Sequence, residues 1–136
     1  MANAPAPLTR NLRVRRHRGH TVLEFHGEID IAAAVRILPR LDRVTARPES
    51  RVVIDLSGVE FFDCSGLRLL HRVRNRVLGQ GGDVLLVCTH PLTLRVLAVT
   101  GLSRLVPPRP TLDAALAWSG AGSVRSIRPA ARRRAR

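Results

Sequence analysis

A chain of 136 residues has the length of one domain, enough to bury a core without disulfides or a metal, and no apolar run in it approaches a bilayer span. All 23 basic residues are Arg against 10 acids, a formal net charge of +13, but residues 10–18 and 119–136 hold 5 and 6 of those Arg with no acid, leaving 12 Arg against 10 acids in residues 19–118. A body so nearly balanced argues against a dedicated nucleic-acid or membrane surface, and the absence of a signal-peptide pattern points to a soluble, cytoplasmic protein.

After a Pro/Ala leader over residues 1–11, Leu12–Val14 and Thr21–His26 form two strands joined at Arg18-Gly19-His20. In the second, Leu23 and Phe25 alternate with Glu24 and His26, the period of a half-buried strand in an edge hairpin. Asp30 then N-caps a helix whose apolar residues Ile31, Ala34, Val35, Leu38, Leu41 and Val44 recur at helical spacing, and Pro39 is expected to kink or end it. Arg51–Leu56 reads as a central strand covered on both faces, closed by a Ser57-Gly58 turn.

The next helix spans Leu67 to Leu78. It buries Leu67, Leu70, Val73 and Val77, carries Arg68, Arg72 and Arg76 on another face, and stops at Gly79-Gln80-Gly81-Gly82. Asp83–Cys88 is a second central strand, Pro91 opens a helix with Leu94, Leu97 and Ala98 inward, and Gly101 stops it. Leu105-Val106 is a short last strand, and Thr111 caps a terminal helix to Trp118. This alternation predicts an α/β domain with parallel central strands over residues 12–118, followed by a disordered Arg-rich tail over 119–136.

The junction Asp63-Cys64-Ser65-Gly66 concentrates polar and reactive groups at a strand-to-helix turn, where backbone N–H groups are unpaired. Its simplest reading is a helix start: Asp63 caps, Ser65 is tolerated in the first turn and Gly66 allows close packing on the sheet. A cysteine phosphatase would need an Arg six residues after Cys64, where Leu70 stands, and a hydrolase elbow needs Gly two before Ser65, where Asp63 stands. The glycines at 79, 81 and 82 follow a helix rather than a strand, so they form no nucleotide turn. His17, His20, His26, His71 and His90 form no metal-ligand pair on a predicted helix and read as surface or loop residues. Cys64 and Cys88 read as free thiols, Cys88 as a small core residue. No enzyme, metal or cofactor is expected.

Several separated motifs, in order, carry a resemblance: Gly27-Glu28-Ile29-Asp30 after a strand, residues 52–59 (VVIDLSGV) before residues 61–67 (FFDCSGL), Gly81–Cys88, and Thr100-Gly101-Leu102 closing a helix. Together they resemble the STAS domains of bacterial anti-sigma factor antagonists over roughly residues 12–118. The resemblance implies a STAS fold: a single mixed sheet with parallel central strands, an edge hairpin at the N-terminus and about four helices packed mainly on one face. It also implies a partner, an anti-sigma factor that is a serine kinase. In that family the kinase phosphorylates the first Ser of Asp-Ser-Ser-Gly, and the unphosphorylated antagonist binds the kinase and frees a sigma factor for transcription.

Here the first Ser is replaced by Cys64, and only Ser65 keeps a hydroxyl. Three outcomes follow: Ser65 is the phosphoacceptor, binding is constitutive, or Cys64 gives a redox response. The residues implied to meet the partner are Asp30, Asp63, Cys64, Ser65, Gly66, Leu67, Arg68 and Arg72. The Arg stripe of that helix reads either as a solvated face or as a docking surface, with no acid at pairing distance within residues 64–82. An alternative keeps the STAS body as a scaffold and lets the Arg-rich ends bind nucleic acid or an acidic protein. A module of a stress-sensing complex is a third.

Overall fold

The structure, a computed structural model, describes residues 10–120; the expected leader up to residue 9 and the tail from residue 121 lie outside the described residues. Five strands form one mixed sheet in the order of the chain: β1 (Leu12–His17), β2 (His20–Ile29), β3 (Arg51–Phe62), β4 (Asp83–Val87) and β5 (Pro108–Arg109). β1 and β2 are antiparallel; β2, β3, β4 and β5 are parallel to one another. The hairpin turns through Arg18 and Gly19, with φ of 51° and 79°. Two left-handed residues in a two-residue loop match the twist of the flanking strands.

Five helices occur among the described residues: α1 (Ile31–Val44), α2 (Cys64–Gly79), α3 (Pro91–Val99), α4 (Leu102–Leu105) and α5 (Leu112–Gly120). The main core lies between one sheet face, with Leu23, Phe25, Ile54 and Leu86, and helix residues including Ile37, Leu41, Leu70, Val77 and Leu97. A smaller core on the opposite face joins Val22, Val53, Leu85 and Val87 to Ala115 of α5. Helices lie mainly on one face, as expected, but of the four expected helices the last, α5, packs on the other, and the fourth on the main face is the single turn α4.

Several local expectations are corrected. α1 continues past Pro39 to Val44. Pro39 lies on the exposed side, so the carbonyl left without its amide, that of exposed Val35, can be met by water. The inward stripe of α1 is Ala33, Ile37 and Leu41; Ile31 and Val35 are 68% and 67% exposed. β3 runs through Ser57-Gly58 to Phe62, because register shifts against β2 between Glu24 and His26 and between Gly27 and Glu28 absorb the irregularity. Asp55 Oδ1 accepts from the Ser57 amide there at 2.9 Å.

α2 starts at Cys64, three residues before the expected Leu67, because Asp63 already serves as its cap. Leu69 and Gly66 are buried, while Leu67 is only partly so. In α3, Thr93 and Leu97 are buried and Ala98 is exposed. Leu105 belongs to the single turn α4 rather than a strand, with Leu102 and Val106 buried on either side; the last strand is Pro108–Arg109, whose Arg109 carbonyl accepts from the Cys88 amide at 2.9 Å. A Pro lacking its N–H is confined to such an edge, which keeps β5 short. His17, His20 and His26 are strand residues, and His20 is buried with Nδ1 3.1 Å from the Arg18 carbonyl.

Candidate functional site

β2 and β3 are parallel neighbours whose last paired residues are Ile29 and Phe62. Each is followed by an aspartate, and each aspartate caps a helix. Asp30 Oδ1 accepts from the Ala33 amide at 3.0 Å, and Asp63 Oδ1 accepts from the amides of Ser65 at 2.8 Å and Gly66 at 3.4 Å. The Asp63 amide in turn donates to the Ile29 carbonyl at 3.5 Å. Two helix N-termini, each with a carboxylate on its unpaired amides, thus lie side by side at one end of the sheet.

Gly66 is held by a neighbour rather than by its backbone angle. A Cβ there would stand 2.6 Å from Phe62 Cε1 and 2.8 Å from Cδ1, closer than carbon atoms approach. Phe62 is buried in the core, so the ring fixes how near the first turn of α2 comes to the sheet. Cys64, the first residue of the helix, is exposed. Ser65 is half-buried and lines a groove of about 370 Å³ between α1 and α2.

Ile31, Val35 and Leu38 line one wall of that groove; Ser65, Arg68 and Arg72 line the other. Ile31 and Val35 were expected to face the core, and their exposed place on the groove wall was missed. A signal was present: α1 carries apolar residues at 31, 34, 35 and 38 as well as at 33, 37 and 41, a stripe too wide for one contact. Phe61, 51% exposed just before the Asp63 cap, was missed as well.

The Arg stripe divides. Arg72 donates from Nε to Asp42 Oδ1 at 2.6 Å and from Nη2 to Asp42 Oδ2 at 2.9 Å. Arg76 donates from Nη2 to the Asp42 carbonyl and from Nε to Thr45 Oγ1, each at 2.9 Å. The acid absent from residues 64–82 is supplied by α1, so Arg72 and Arg76 clamp the two helices together. Hydrogen bonds from Arg72 hold the Asp42 carboxyl below the usual carboxylate value, and Asp42 raises Arg72 in return. Arg68 makes no hydrogen bond or ion pair among the described residues, and its charge faces the groove beside Ser65. Of the residues singled out in the sequence, Ser65, Arg68 and Arg72 line the groove, while Asp30, Asp63 and Gly66 stand at the starts of the two helices that wall it. Cys64 is exposed and does not line the groove, Leu67 leans on the core, and Arg72 is also engaged with Asp42.

Cys88 is buried at the end of β4, and burial pushes its thiol up from the ordinary value, consistent with a core residue. No group of His, Cys, Asp or Glu among the described residues could hold a metal ion, and no helix among them is long and apolar enough to cross a membrane.

A mixed five-stranded sheet with two capped helices rising from adjacent parallel strands is the architecture of a STAS domain. The family model for the STAS domain matches residues 11–115, and the chain belongs to that family. Among its relatives is the anti-sigma-F factor antagonist RsfB of Mycobacterium tuberculosis, 31% identical over 119 residues that cover 88% of this chain and 97% of that protein. The crystal structure of an anti-sigma factor antagonist from Mycobacterium paratuberculosis superposes with a TM-score of 0.71 at 35% identity, covering 78% of this chain and 90% of that one. The unphosphorylated form of the antagonist SpoIIAA, at 18% identity, shares the fold with a TM-score of 0.68 over 82% of this chain and 98% of its own.

Proposed function

We propose that this chain is an anti-sigma factor antagonist that binds an anti-sigma factor serine kinase at the Asp30/Asp63 end of the α1/α2 groove and so frees a sigma factor for transcription. The observation that carries the reading is the groove itself. A half-buried hydroxyl and an unpaired Arg stand on one side, two largely exposed aliphatic side chains stand on the other, and each of the two helices that wall it begins at a capping carboxylate. Exposed aliphatics beside unpaired charge are the composition of a protein-binding patch.

That the relatives are antagonists of anti-sigma factors supports the same reading. Ser65 is the phosphoacceptor in this scheme. A phosphate there adds roughly −1.5 to −2 charges beside Asp63, which a complementary partner surface would not tolerate, and the complex dissociates.

The test is calorimetry with the cognate kinase. Wild-type protein forms a stable complex without nucleotide turnover. Asp63→Ala and Ile31→Glu each weaken it by about tenfold or more, the effect of losing one well-placed contact. Unchanged affinity in both variants would remove the groove from the interface.

A further inference from the structure

β1 is the outermost strand of the sheet, so one side of Leu12–His17 meets no other strand among the described residues. The register tells which backbone groups are left over. In an antiparallel pair, residues alternate between bonding across to the neighbour and pointing away from it. The Asn11 carbonyl accepts from the His26 amide at 2.9 Å, which turns Asn11 toward β2 and, by alternation, Arg13, Arg15 and His17 as well. Leu12, Val14 and Arg16 therefore direct their N–H and C=O groups outward.

A free edge of this kind ordinarily risks pairing with a second copy of the chain. Here Arg13, Arg15 and Arg16 lie along it and Arg18 sits at the turn, so two such edges would oppose like charges. The acid in contact with them is Glu24, shared by Arg13, Arg15 and His26, and the Arg13 side chain remains 71% exposed. The charge that repels a second copy suits an acidic strand.

The two faces of β1 define what that strand looks like. Leu12 is buried in the main core and Val14 packs at its margin, while Arg13 and Arg15 stand on the other face with Glu24. An added strand continues both faces, placing acids opposite Arg13 and Arg15 and apolar residues beside Leu12 and Val14.

We infer that the free edge of β1 docks an extended partner segment of alternating acidic and apolar residues, which joins the sheet as an additional strand. The chain offers no such segment of its own, since residues 1–9 and 119–136 contain no acid. A phosphate backbone would meet the Arg charge, but it has no donors for the outward carbonyls, and β1 holds no Phe, Tyr or Trp for base stacking. The site shares no residue with the α1/α2 groove, so the two readings stand or fall separately.

The experiment is amide hydrogen exchange by NMR on the full chain, with the peptide acetyl-Val-Glu-Val-Glu-Val-Glu-amide, its Lys-for-Glu counterpart and a single-stranded oligonucleotide. The acidic peptide slows exchange at Leu12, Val14 and Arg16 and leaves Arg13 and Arg15, already bonded to β2, nearly unchanged; the Lys peptide does nothing. Val14→Pro removes one outward N–H without touching a β1–β2 bond and weakens binding by about tenfold. Arg13→Glu keeps every backbone group and weakens it too. No protection at Leu12, Val14 and Arg16 at millimolar peptide overturns the inference, as does binding indifferent to both substitutions. An oligonucleotide that binds as well as the acidic peptide overturns it in favour of nucleic acid.

Discussion

Arg72 of α2 grips Asp42 of α1 with both carboxylate oxygens, Nε to Oδ1 at 2.6 Å and Nη2 to Oδ2 at 2.9 Å. The pair joins two helices through residues thirty apart in the chain, and its contribution follows the charge of Asp42. A carboxyl whose folded pKa lies below its unfolded value adds stability above the unfolded value and loses it as pH falls through the folded one. Asp42→Asn should therefore lower the urea midpoint at neutral pH, and wild type and variant should converge as pH falls below the ordinary carboxylate value of 3.8. The side chains are 45% and 33% exposed, so the difference is small. A gap that stays constant from neutral to acid pH would show that Asp42 acts through something other than its charge.

The same pair separates two roles within one Arg stripe. Arg72→Glu sets a second carboxylate against Asp42 and disturbs the α1/α2 contact, so it should lower stability and kinase binding together. Arg68→Glu breaks no bond among the described residues. Its urea midpoint should correspond to a change within about 0.5 kcal/mol of wild type, while kinase affinity falls. Undiminished affinity for Arg68→Glu in a fully stable protein would take Arg68 out of the interface.

The stripe also marks where sequence reading stops. Period and caps located β1 to β4, α1, α2, α3 and α5, because apolar spacing, Asp30, Asp63, Pro91 and Thr111 are local signals. The Asp42–Arg72 pair and the second face of α1 are not local. Each depends on how two helices sit against one another, and spacing within α2 alone found no acid for Arg72. Likewise Ser57-Gly58 has the composition of a turn and is strand only because β2 shifts register beside it. The Asp63 turn was legible as a helix start; that Ser65 lines a groove against α1, which Cys64 does not, was not.

Gly66 gives a prediction from packing alone. A Cβ there would sit 2.6–2.9 Å from three atoms of the Phe62 ring. Gly66→Ala should destabilise the domain by about 1–3 kcal/mol in urea titration, the usual cost of overpacking. Phe62→Leu creates room, so the double variant should lose less than the sum of the two single changes. Additive losses would mean that the ring is not what demands glycine.

Ser65 lies in the first turn of α2 with its amide on Asp63, and Arg68 is one turn further along the same groove wall. The helix N-terminus and Arg68 both favour a phosphate on Ser65, while Asp63 opposes it. Incubated with the kinase proposed as its partner and ATP, the wild-type chain should gain the mass of one phosphate, Cys64→Ala should gain it equally, and Ser65→Ala should gain none. In the phosphorylated protein, Arg68→Gln should raise the second phosphate pKa read by 31P NMR from its wild-type value, because a neighbouring guanidinium favours the dianion. Full phosphate uptake by Ser65→Ala would move the acceptor elsewhere. No uptake by any of the three, with a stable complex in each, would make binding constitutive and leave the replacement of the family's first serine by Cys64 as the loss of the switch.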